Sequence, residues 1–288
     1  MRLMIFGAGF SGRTIGKHIQ DNFQFIGGTT RQDKNFSQLR DDGISPFQFT
    51  GEAFSDVLSQ ELKDVTHIIQ SISPDKGGDP LLPLISHKLL TLMPNLKWVG
   101  YLSTVGVYGN HDGEWVNEET VCKPVSKRSI ARLDAENAWT SLCNANDLPL
   151  AILRLSGIYG PGRNTFVNFE KGKARRLVKE GQVFNRIFVD DIARAAKLLM
   201  TQNISGIFNI TDDEPAPPQD VVAYAAELLG VEPPPEIDFQ TADLTPMARS
   251  FYGENKRVSN QKIKDLGFEF LQPNYRSALA YLHGRYHT

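Results

Sequence analysis

The sequence contains very little cysteine and no long apolar run. Only Cys122 and Cys143 occur among its 288 residues, and their spacing is not that of zinc ligands. This scarcity argues against a disulfide framework and favours a reducing compartment. The first apolar run, residues 3–6, is far shorter than a signal sequence or the roughly 20 residues of a membrane span. We therefore expect a cytoplasmic protein.

An excess of charge of one sign is also missing. The 31 Lys and Arg residues nearly balance the 33 Asp and Glu residues, which gives a formal net charge of −2. Without an extended basic surface, we expect neither nucleic acid nor a membrane as a partner. The six histidines lack the spacing of metal ligands, so no metal is expected. The composition favours a small-molecule substrate and leaves open whether the chain forms a homodimer.

What the sequence has is an alternation of short apolar runs with longer amphipathic segments, which is typical of βαβ units. The predicted strands are residues 3–6, 23–27, 47–49, 67–71, 98–102, 150–155 and 207–210. The predicted helices are residues 10–19, 53–62, 81–93, 129–143 and 190–200. This order predicts an α/β fold, a doubly wound parallel sheet (Rossmann) with a smaller C-terminal substrate lobe.

The amino-acid composition of the chain changes after Leu155, where glycines and later prolines become frequent. We interpret residues 1–156, completed by about 187–210, as an NADP-binding Rossmann core. Residues 157–186 and 211–288 are interpreted as a C-terminal substrate-binding lobe.

A glycine-rich turn follows the first predicted strand. Gly7, Gly9 and Gly12 form G-x-G-x-x-G, with Phe10 and Ser11 at the start of the helix. The first glycine permits the tight turn, the second lets a diphosphate approach the backbone, and the third seats the helix on the strand. Free N–H groups at the helix start attract phosphate. The motif therefore predicts a dinucleotide cofactor.

The residues after the second strand favour NADP over NAD. An acidic residue about 20 positions after the glycines would bind the ribose 2′-hydroxyl of NAD, but this chain has Thr30 and Arg31 there. The Arg31 guanidinium can pair with a 2′-phosphate. In the alternative, Arg31 is a solvated charge, Asp33 reaches the ribose and NAD is the cofactor. Ser71 and Ser73, after another strand, are further cofactor-binding candidates.

Four later segments resemble, in order, motifs of the extended short-chain dehydrogenases/reductases, the epimerase/dehydratase group. They are L-S-T-V-G-V-Y-G at 102–109, R-L-S-G-I-Y-G-P-G at 154–162, R-I-F-V-D-D-I-A at 186–193 and G-I-F-N-I at 206–210. Together with the glycine turn they cover nearly the whole chain. The resemblance implies a Rossmann core with a small substrate lobe, acting on nucleotide sugars or related compounds.

The resemblance also implies a catalytic pattern that this chain only partly keeps. Thr104, beside Ser103, stands at the family's catalytic Ser or Thr position. The family's Tyr-x-x-x-Lys pair becomes Arg128 and Arg132 when the helix is aligned on Glu136. A guanidinium does not release its proton, so Arg128 cannot be the acid or base. Arg132 would keep the positive charge and the ribose contact.

Two explanations of this departure remain. Another group supplies the proton, with Tyr108, Tyr159 and Ser129 as candidates, or the site binds cofactor without turnover. Packing roles explain the two tyrosines equally well, and a helix-start hydroxyl explains Ser129. The departure resembles the atypical short-chain dehydrogenase/reductase subgroup.

The resemblance also indicates residues on the substrate side. Arg186 precedes V-D-D much as a phosphate-binding arginine does in nucleotide-sugar epimerases, although about two residues closer. Gly157 replaces a family asparagine, and Val105 and Gly106 replace the Asp-Glu pair of dehydratases, which disfavours 4,6-dehydration. The predicted substrate-binding residues are Arg128, Gly157, Arg163, Arg186 and Arg257. Each of these arginines is alternatively a surface charge.

The sequence thus predicts an NADP(H)-binding oxidoreductase or epimerase-like enzyme. Its substrate would be small and polar, such as a phosphorylated compound or a nucleotide sugar. The alternative is a catalytically inactive NADP(H)-binding regulator or scaffold.

Overall fold

The structure is a computed structural model that describes residues 1–286, without the side chains of Met247 and Tyr286. The strands are β1 (Arg2–Phe6), β2 (Phe25–Thr30), β3 (Ser45–Gln48), β4 (His67–Gln70), β5 (Trp98–Thr104), β6 (Trp115–Val116), β7 (Leu150–Leu155), β8 (Gly157–Tyr159), β9 (Arg176–Val178), β10 (Arg186–Phe188), β11 (Gly206–Ile210), β12 (Glu236–Asp238) and β13 (Arg257–Val258). The helices are α1 (Phe10–His18), α2 (Phe36–Asp41), α3 (Asp56–Leu62), α4 (Leu82–Ile85), α5 (Leu89–Leu92), α6 (Lys127–Asn144), α7 (Thr165–Glu170), α8 (Val189–Thr201), α9 (Pro218–Leu229), α10 (Pro246–Phe251), α11 (Gln261–Lys264) and α12 (Tyr275–Tyr286).

Seven of the strands form one parallel sheet in the order β11-β7-β5-β4-β1-β2-β3. The chain builds outward from β1 to β2 and β3 and then crosses to β4 on the other side of β1. The strand order therefore reverses between β1 and β4, where doubly wound sheets bind their ligands. The predicted α/β Rossmann fold is confirmed.

The inner strands are apolar because the sheet is covered on both faces. All of β4 and nearly all of β1 and β5 are buried. In the register, Leu3 lies beside His67 and Ile26. The carboxyl ends of β1, β2, β4 and β5 therefore meet at one edge of the sheet.

The structure corrects one predicted helix. Residues 81–93 form two short helices, α4 and α5, rather than one continuous helix. The Ser86 hydroxyl donates to the Leu82 carbonyl at 2.5 Å, and such local bonds compete with regular helix geometry. The apolar spacing is kept across the break because Ile85 and Leu89 both remain buried.

The second strand also differs from its prediction. It begins two residues later, at Phe25, and continues through two glycines and two threonines to Thr30. A Cβ on Gly28 would lie 2.8 Å from the Ala8 Cβ, so glycine lets this strand lie close to the turn after β1. The strand therefore carries Thr30 out to the edge where the glycine turn lies.

The chain divides into two compact units. The first unit comprises residues 1–107, 127–154 and 192–208, and the second comprises residues 108–126, 155–191 and the chain from 209 onward. A core around Phe6, Tyr101 and Trp139 lies in the first unit. A separate core around Phe166, Phe188 and Tyr275 lies in the second.

Two kinds of feature are absent from the described residues. No helix among them has the length and apolar character needed to span a membrane. Within the same residues, no three or more His, Cys, Asp or Glu side chains group as metal ligands.

Candidate functional site

The glycine turn between β1 and α1 has a backbone that only glycine fits. Gly7 has a φ of +86°, and a Cβ there would lie 2.8 Å from the Ile72 side chain. A Cβ on Gly12 would lie 2.9 Å from the Gly7 carbonyl oxygen. Such distances are too short for real contacts, so each glycine is required by its close neighbours.

The outer side of this turn is open. Among the described atoms, none would lie within 4 Å of a Cβ on Gly9. Helix α1 begins at Phe10 without a side-chain cap and without an acidic residue in its first turn. Its N-terminal amides therefore keep their capacity to bind an anion. Ser11, in the same first turn, is nine-tenths buried.

A polar depression lies beside the end of β2. It has a volume of about 350 Å³ and is lined by Thr30, Arg31, Gln32 and Asn35. The Thr30 hydroxyl accepts a hydrogen bond from Asn35 Nδ2 at 3.0 Å. The Arg31 side chain is exposed, while its backbone oxygen accepts a bond from Gln48 at 3.3 Å. The depression combines a cation with hydroxyl and amide groups, which suits a phosphorylated ribose.

Arg132 on α6 reaches the carboxyl ends of two neighbouring strands. It donates from Nη1 to the Leu102 carbonyl at 2.5 Å and from Nη2 to the Ser73 hydroxyl at 2.8 Å. Burial raises the pKa of the nearby Tyr101 phenol to about 12, although Arg132 acts in the opposite direction. The structure therefore brings the predicted residues Arg132 and Ser73 together. Ser71 follows the same strand, and its amide donates to the Phe6 carbonyl.

Thr104 and Ser129 lie on either side of Gly106. The Thr104 hydroxyl accepts a bond from the Gly106 amide at 3.1 Å. A Cβ on Gly106 would lie 2.6 Å from the Ser129 hydroxyl and 3.4 Å from the Thr104 hydroxyl. The missing side chain at Gly106 therefore allows both hydroxyls to occupy one small region at the end of β5.

Ser103 belongs to a buried polar cluster. Its hydroxyl donates to Glu136 Oε1 at 2.5 Å. Arg154 donates to both oxygens of Glu136, with its Nη2 2.7 Å from Oε2. Glu136 and Arg154 are 2% and 3% exposed. This cluster ties α6 to β5 and β7, so Ser103 positions these elements.

In the second unit, Tyr108 is fully buried. Its hydroxyl donates to Asn209 Oδ1 at 2.7 Å, and Asn209 Nδ2 donates to the Ser259 carbonyl at 3.0 Å. The phenol is therefore engaged in packing this unit together. These contacts disfavour Tyr108 as a proton donor to substrate.

Three other predicted residues lie on the short parallel pair formed by β8 and β10. Gly157 pairs with Arg186, and Tyr159 pairs with Phe188. The Arg186 guanidinium donates to the carbonyls of Phe184 and Ala216 at 2.9 and 3.0 Å. The structure therefore brings Gly157, Tyr159 and Arg186 together.

The remaining predicted arginines are spread over separate elements. Arg128 is exposed on the first turn of α6. Arg163 is exposed and lies in a tight turn whose backbone bonds join it to Gly160. Arg257 is on β13 and donates to the Gly113 carbonyl. These placements do not link Arg163 and Arg257 to Arg186.

Sequence reasoning missed Asp212. This residue lies two positions after β11, its amide donates to the Arg186 carbonyl at 2.7 Å, and it is 1% exposed. Burial raises the pKa of its carboxyl well above the ordinary value, with Arg186 acting in the opposite direction. An acidic residue just beyond a buried strand was the signal that could have identified it.

The chain matches the model of the NAD dependent epimerase/dehydratase family over residues 84–211. It is also 32% identical to protein YeeZ of Escherichia coli (strain K12) over 177 residues, which cover 60% of this chain and 58% of YeeZ. The matched segment thus covers less than two thirds of that relative.

Solved structures share the fold over the full length. A functionally unknown conserved protein from Silicibacter pomeroyi DSS is 44% identical, with a TM-score of 0.89 over 100% of this chain and 99% of that one. The dTDP-glucose 4,6-dehydratase of Bacillus anthracis, solved in complex with NAD, is 18% identical, with a TM-score of 0.79 over 100% and 96% of the two chains. At that identity the second likeness shows the fold alone.

Proposed function

Because residues 84–211 match the model of the NAD dependent epimerase/dehydratase family, we propose that the chain is a member of this family, binds a nicotinamide dinucleotide, with a preference for NADP(H), and acts as an oxidoreductase or epimerase. The proposed substrate is small and polar, such as a phosphorylated compound or a nucleotide sugar. The observation that carries the proposal is the turn of Gly7, Gly9 and Gly12, which is closed on its inner side and open above Gly9.

The residues at this edge fit a dinucleotide. The amides at the start of α1, with Ser11, would hold the diphosphate. Thr30 and Arg31 would hold the adenosine ribose and its 2′-phosphate, because the guanidinium is exposed beside a polar depression. The portion of the dinucleotide that lies beyond the end of β4 would be held by Ser71, Ser73 and Arg132. Phe10 would cover the diphosphate from the first turn of α1.

The preference for NADP(H) rests on charge. The neighbouring dehydratase structure was solved with NAD, but its low identity leaves the coenzyme of this chain to be argued from its own residues. A carboxylate beside the ribose would repel a 2′-phosphate, whereas Arg31 attracts it. Asp33 is also exposed and is the residue on which the NAD alternative depends.

The chemistry divides between the coenzyme and the chain. When bound, the nicotinamide supplies hydride transfer. Thr104 would donate a hydrogen bond to the reacting oxygen of the substrate, and Arg132 would fix the ribose. Among the hydroxyls predicted to move the proton, Ser129 lies beside Thr104 in the first unit, and we assign it the proton-transfer role ahead of Tyr108 and Tyr159.

A second candidate function is a regulator that binds NADP(H) without turnover. The exposed Arg128 at the family's tyrosine position and the engaged phenol of Tyr108 favour it. Calorimetric titration with NADPH and NADH tests what both candidates share, and no uptake of either would contradict both. Two readouts separate them. Absorbance of bound NADPH during incubation with carbonyl compounds detects an oxidoreductase, which consumes NADPH. Product analysis of nucleotide sugars incubated with the NADP-loaded protein detects an epimerase, which regenerates its coenzyme, and the regulator changes neither signal.

Arg31→Glu tests the choice of coenzyme. We expect NADPH affinity to fall about tenfold to hundredfold and NADH affinity to change little, because only NADPH has the 2′-phosphate. Arg40→Glu, the same charge change at another exposed residue of the first unit, serves as the control. Equal losses for the two coenzymes in Arg31→Glu would refute the 2′-phosphate assignment.

Thr104→Ala tests the catalytic assignment in an active enzyme. Loss of a donor to the reacting oxygen should lower kcat about a hundredfold or more with little change in NADPH affinity. Thr104→Ser keeps the hydroxyl and should retain most of the turnover. If Thr104→Ala turns over as fast as the parent protein, the role given to this hydroxyl is wrong.

A further inference from the structure

Two buried polar side chains lie at the two ends of the loop that follows β4. Gln70 is the last residue of this strand and is fully buried, and Asp79 is 4% exposed. Gln70 Nε2 donates a hydrogen bond to Asp79 Oδ1 at 2.7 Å. The intervening residues 71–78 are half-buried or exposed, so this buried bond closes the loop at its base. We call Gln70 and Asp79 the loop-closing pair.

The Asp79 carboxylate is held in place by three neutral donors. Besides the Gln70 side chain, the Leu81 backbone N–H donates to Oδ1 at 2.8 Å, and Trp139 Nε1 donates to Oδ2 at 3.0 Å. A buried carboxylate is stable only when it is hydrogen-bonded, and here both of its oxygens are engaged. Gln70 is therefore anchored to an acceptor whose position is fixed by α6 and by the start of α4.

The anchored side chain of Gln70 also holds the backbone that follows it. Its Oε1 accepts a hydrogen bond from the Ile72 backbone N–H at 3.3 Å. A side-chain amide carries its donor and its acceptor on the same carbon, pointing in different directions. Because the NH2 group points to Asp79, the oxygen is left to point to Ile72. Loss of the bond to Asp79 would therefore also release the Ile72 N–H.

Residues 71–73, which we call the exit segment, pack against the glycine turn. A Cβ on Gly7 would lie 2.8 Å from Ile72 Cγ1 and 2.9 Å from the Ile72 nitrogen. At the end of the segment, the Ser73 hydroxyl accepts a hydrogen bond from Arg132 Nη2 at 2.8 Å. The exit segment thus contacts both the glycine turn and the arginine that is assigned to the ribose.

The tip of the loop does not fix the exit segment. Asp75 and Gly78 exchange two backbone hydrogen bonds at 3.1 Å, and Asp75 Oδ1 accepts from the Gly77 N–H at 2.7 Å. These bonds are confined to residues 75–78 and join the loop to no strand. The placement of the exit segment therefore depends on contacts at the base of the loop, where Gln70 and Asp79 lie.

We propose that Gln70 and Asp79 are positioning residues for the coenzyme. By closing the loop, the pair keeps the exit segment against the glycine turn and keeps Ser73 within hydrogen-bond distance of Arg132. Both members of the pair are buried, so they act through the exit segment and not by contact with the dinucleotide. The inference rests on the proposed function, because it concerns the part of that site which would hold the nicotinamide half.

Two ligands separate a positioning role from a purely structural one. NADPH has both halves of the dinucleotide, whereas adenosine 2′,5′-bisphosphate has only the half assigned to Arg31 and the start of α1. Gln70→Leu keeps a side chain of similar size and removes both of its hydrogen bonds. In calorimetric titrations it should weaken NADPH binding about tenfold and change the affinity for the bisphosphate less than about threefold. Gln70→Met gives the same test if Gln70→Leu does not fold.

Thr66→Val is the matched control, because Thr66 directly precedes the other end of the same strand. Its hydroxyl accepts from the Arg2 N–H at 2.9 Å and donates to the Arg2 carbonyl at 3.0 Å. Valine removes these bonds at the amino end of β4, so urea unfolding should show a loss of stability while the ratio of the two ligand affinities stays unchanged. A ratio that shifts equally in Thr66→Val and Gln70→Leu would reduce the pair to a structural role and overturn the proposal.

Asp79→Ala tests whether the two residues act together, because it removes the acceptor of Gln70 Nε2. The ratio of the affinities should shift in the same direction as in Gln70→Leu. The double variant should shift it no further than Gln70→Leu alone, because both residues act through one hydrogen bond. Additive shifts would overturn the pair.

Hydrogen exchange at the Ile72 N–H gives a readout that does not use the coenzyme. Exchange should become about tenfold faster in Gln70→Leu, because this N–H loses its acceptor, and should stay unchanged in Thr66→Val.

The outcomes distinguish this inference from the function proposed above. If the parent protein takes up no NADPH, the proposed function fails and this inference fails with it. If the parent protein takes up NADPH but Gln70→Leu leaves either the affinity ratio or the exchange at Ile72 unchanged, the inference fails alone and the coenzyme assignment is retained.

Discussion

Each unit contains an arginine beside a buried carboxyl group, and the two arrangements differ in their ion pairing. In the first unit, Arg154 donates hydrogen bonds to both carboxylate oxygens of Glu136, and the Ser103 hydroxyl also donates to this carboxylate. In the second unit, Arg186 makes no ion pair with Asp212, and an oxygen of Asp212 is left without a partner. Buried charges are stable when paired and hydrogen-bonded. The first arrangement therefore contributes to the stability of the fold as an ion pair, which the second arrangement lacks.

The largest expected effect comes from breaking the first arrangement. Glu136→Gln leaves the Arg154 guanidinium buried opposite a neutral amide, and the free energy of unfolding should fall by about 3–5 kcal/mol. Urea unfolding measures it. Asp134→Asn removes an exposed carboxylate from the same helix and should cost less than about 0.5 kcal/mol. Equal effects of the two variants would show that the Glu136 pair contributes no special stability.

A second test measures stability as a function of pH, because burial lowers the pKa of a base and raises the pKa of an acid. Burial lowers the pKa of His67, in the first unit, to about 4. Since the unfolded chain binds that proton more readily, stability is full above about pH 6.5 and falls, by up to about 3 kcal/mol, as the pH drops towards 4. His67→Phe should remove this part of the acid loss, whereas His87→Gln, at an exposed site, should not.

The carboxyl group of Asp212 should show the opposite pH dependence of stability from that of His67. Its pKa is raised in the folded chain, so its contribution to stability is present below the unfolded value and is lost as the pH rises. Chemical denaturation at several pH values measures the His67 effect. An unchanged acid profile in His67→Phe would mean that His67 does not titrate as a buried base.

The smallest expected effect distinguishes the buried hydroxyls of two tyrosines in the second unit, Tyr108 and Tyr159. Tyr108→Phe removes a hydroxyl that donates to Asn209 and should lower the free energy of unfolding by about 1 kcal/mol. Tyr159→Phe removes a hydroxyl with no partner. In phosphate-free buffer it should leave stability unchanged or raise it by about 1 kcal/mol. Equal losses in the two variants would show that the Tyr159 hydroxyl also has a hydrogen-bond partner in the folded chain.

Much of the fold and the geometry of the glycine turn could be predicted because their signals are local in sequence. The strand pattern, the three glycines and Arg31 each act through neighbours a few positions away or through the backbone itself. The break between α4 and α5 could not be predicted, because the apolar spacing continues through it and a single side-chain bond marks it. The apolar pattern likewise gave no indication that β2 begins at Phe25, two residues later than predicted.

The sequence by itself determined the α/β order and the glycine turn, and it predicted that Arg128 and Arg132 stand where the family it resembles has Tyr-x-x-x-Lys. Only the tertiary structure decided which polar groups are satisfied. Tyr108 and Tyr159 occupy similar turns in sequence, yet one hydroxyl donates to an asparagine 101 positions away and the other has no hydrogen-bond partner in the part of the chain that the structure describes. Hydrogen bonding depends on distances of a few ångströms between residues far apart in the chain, and no spacing in the sequence encodes those distances.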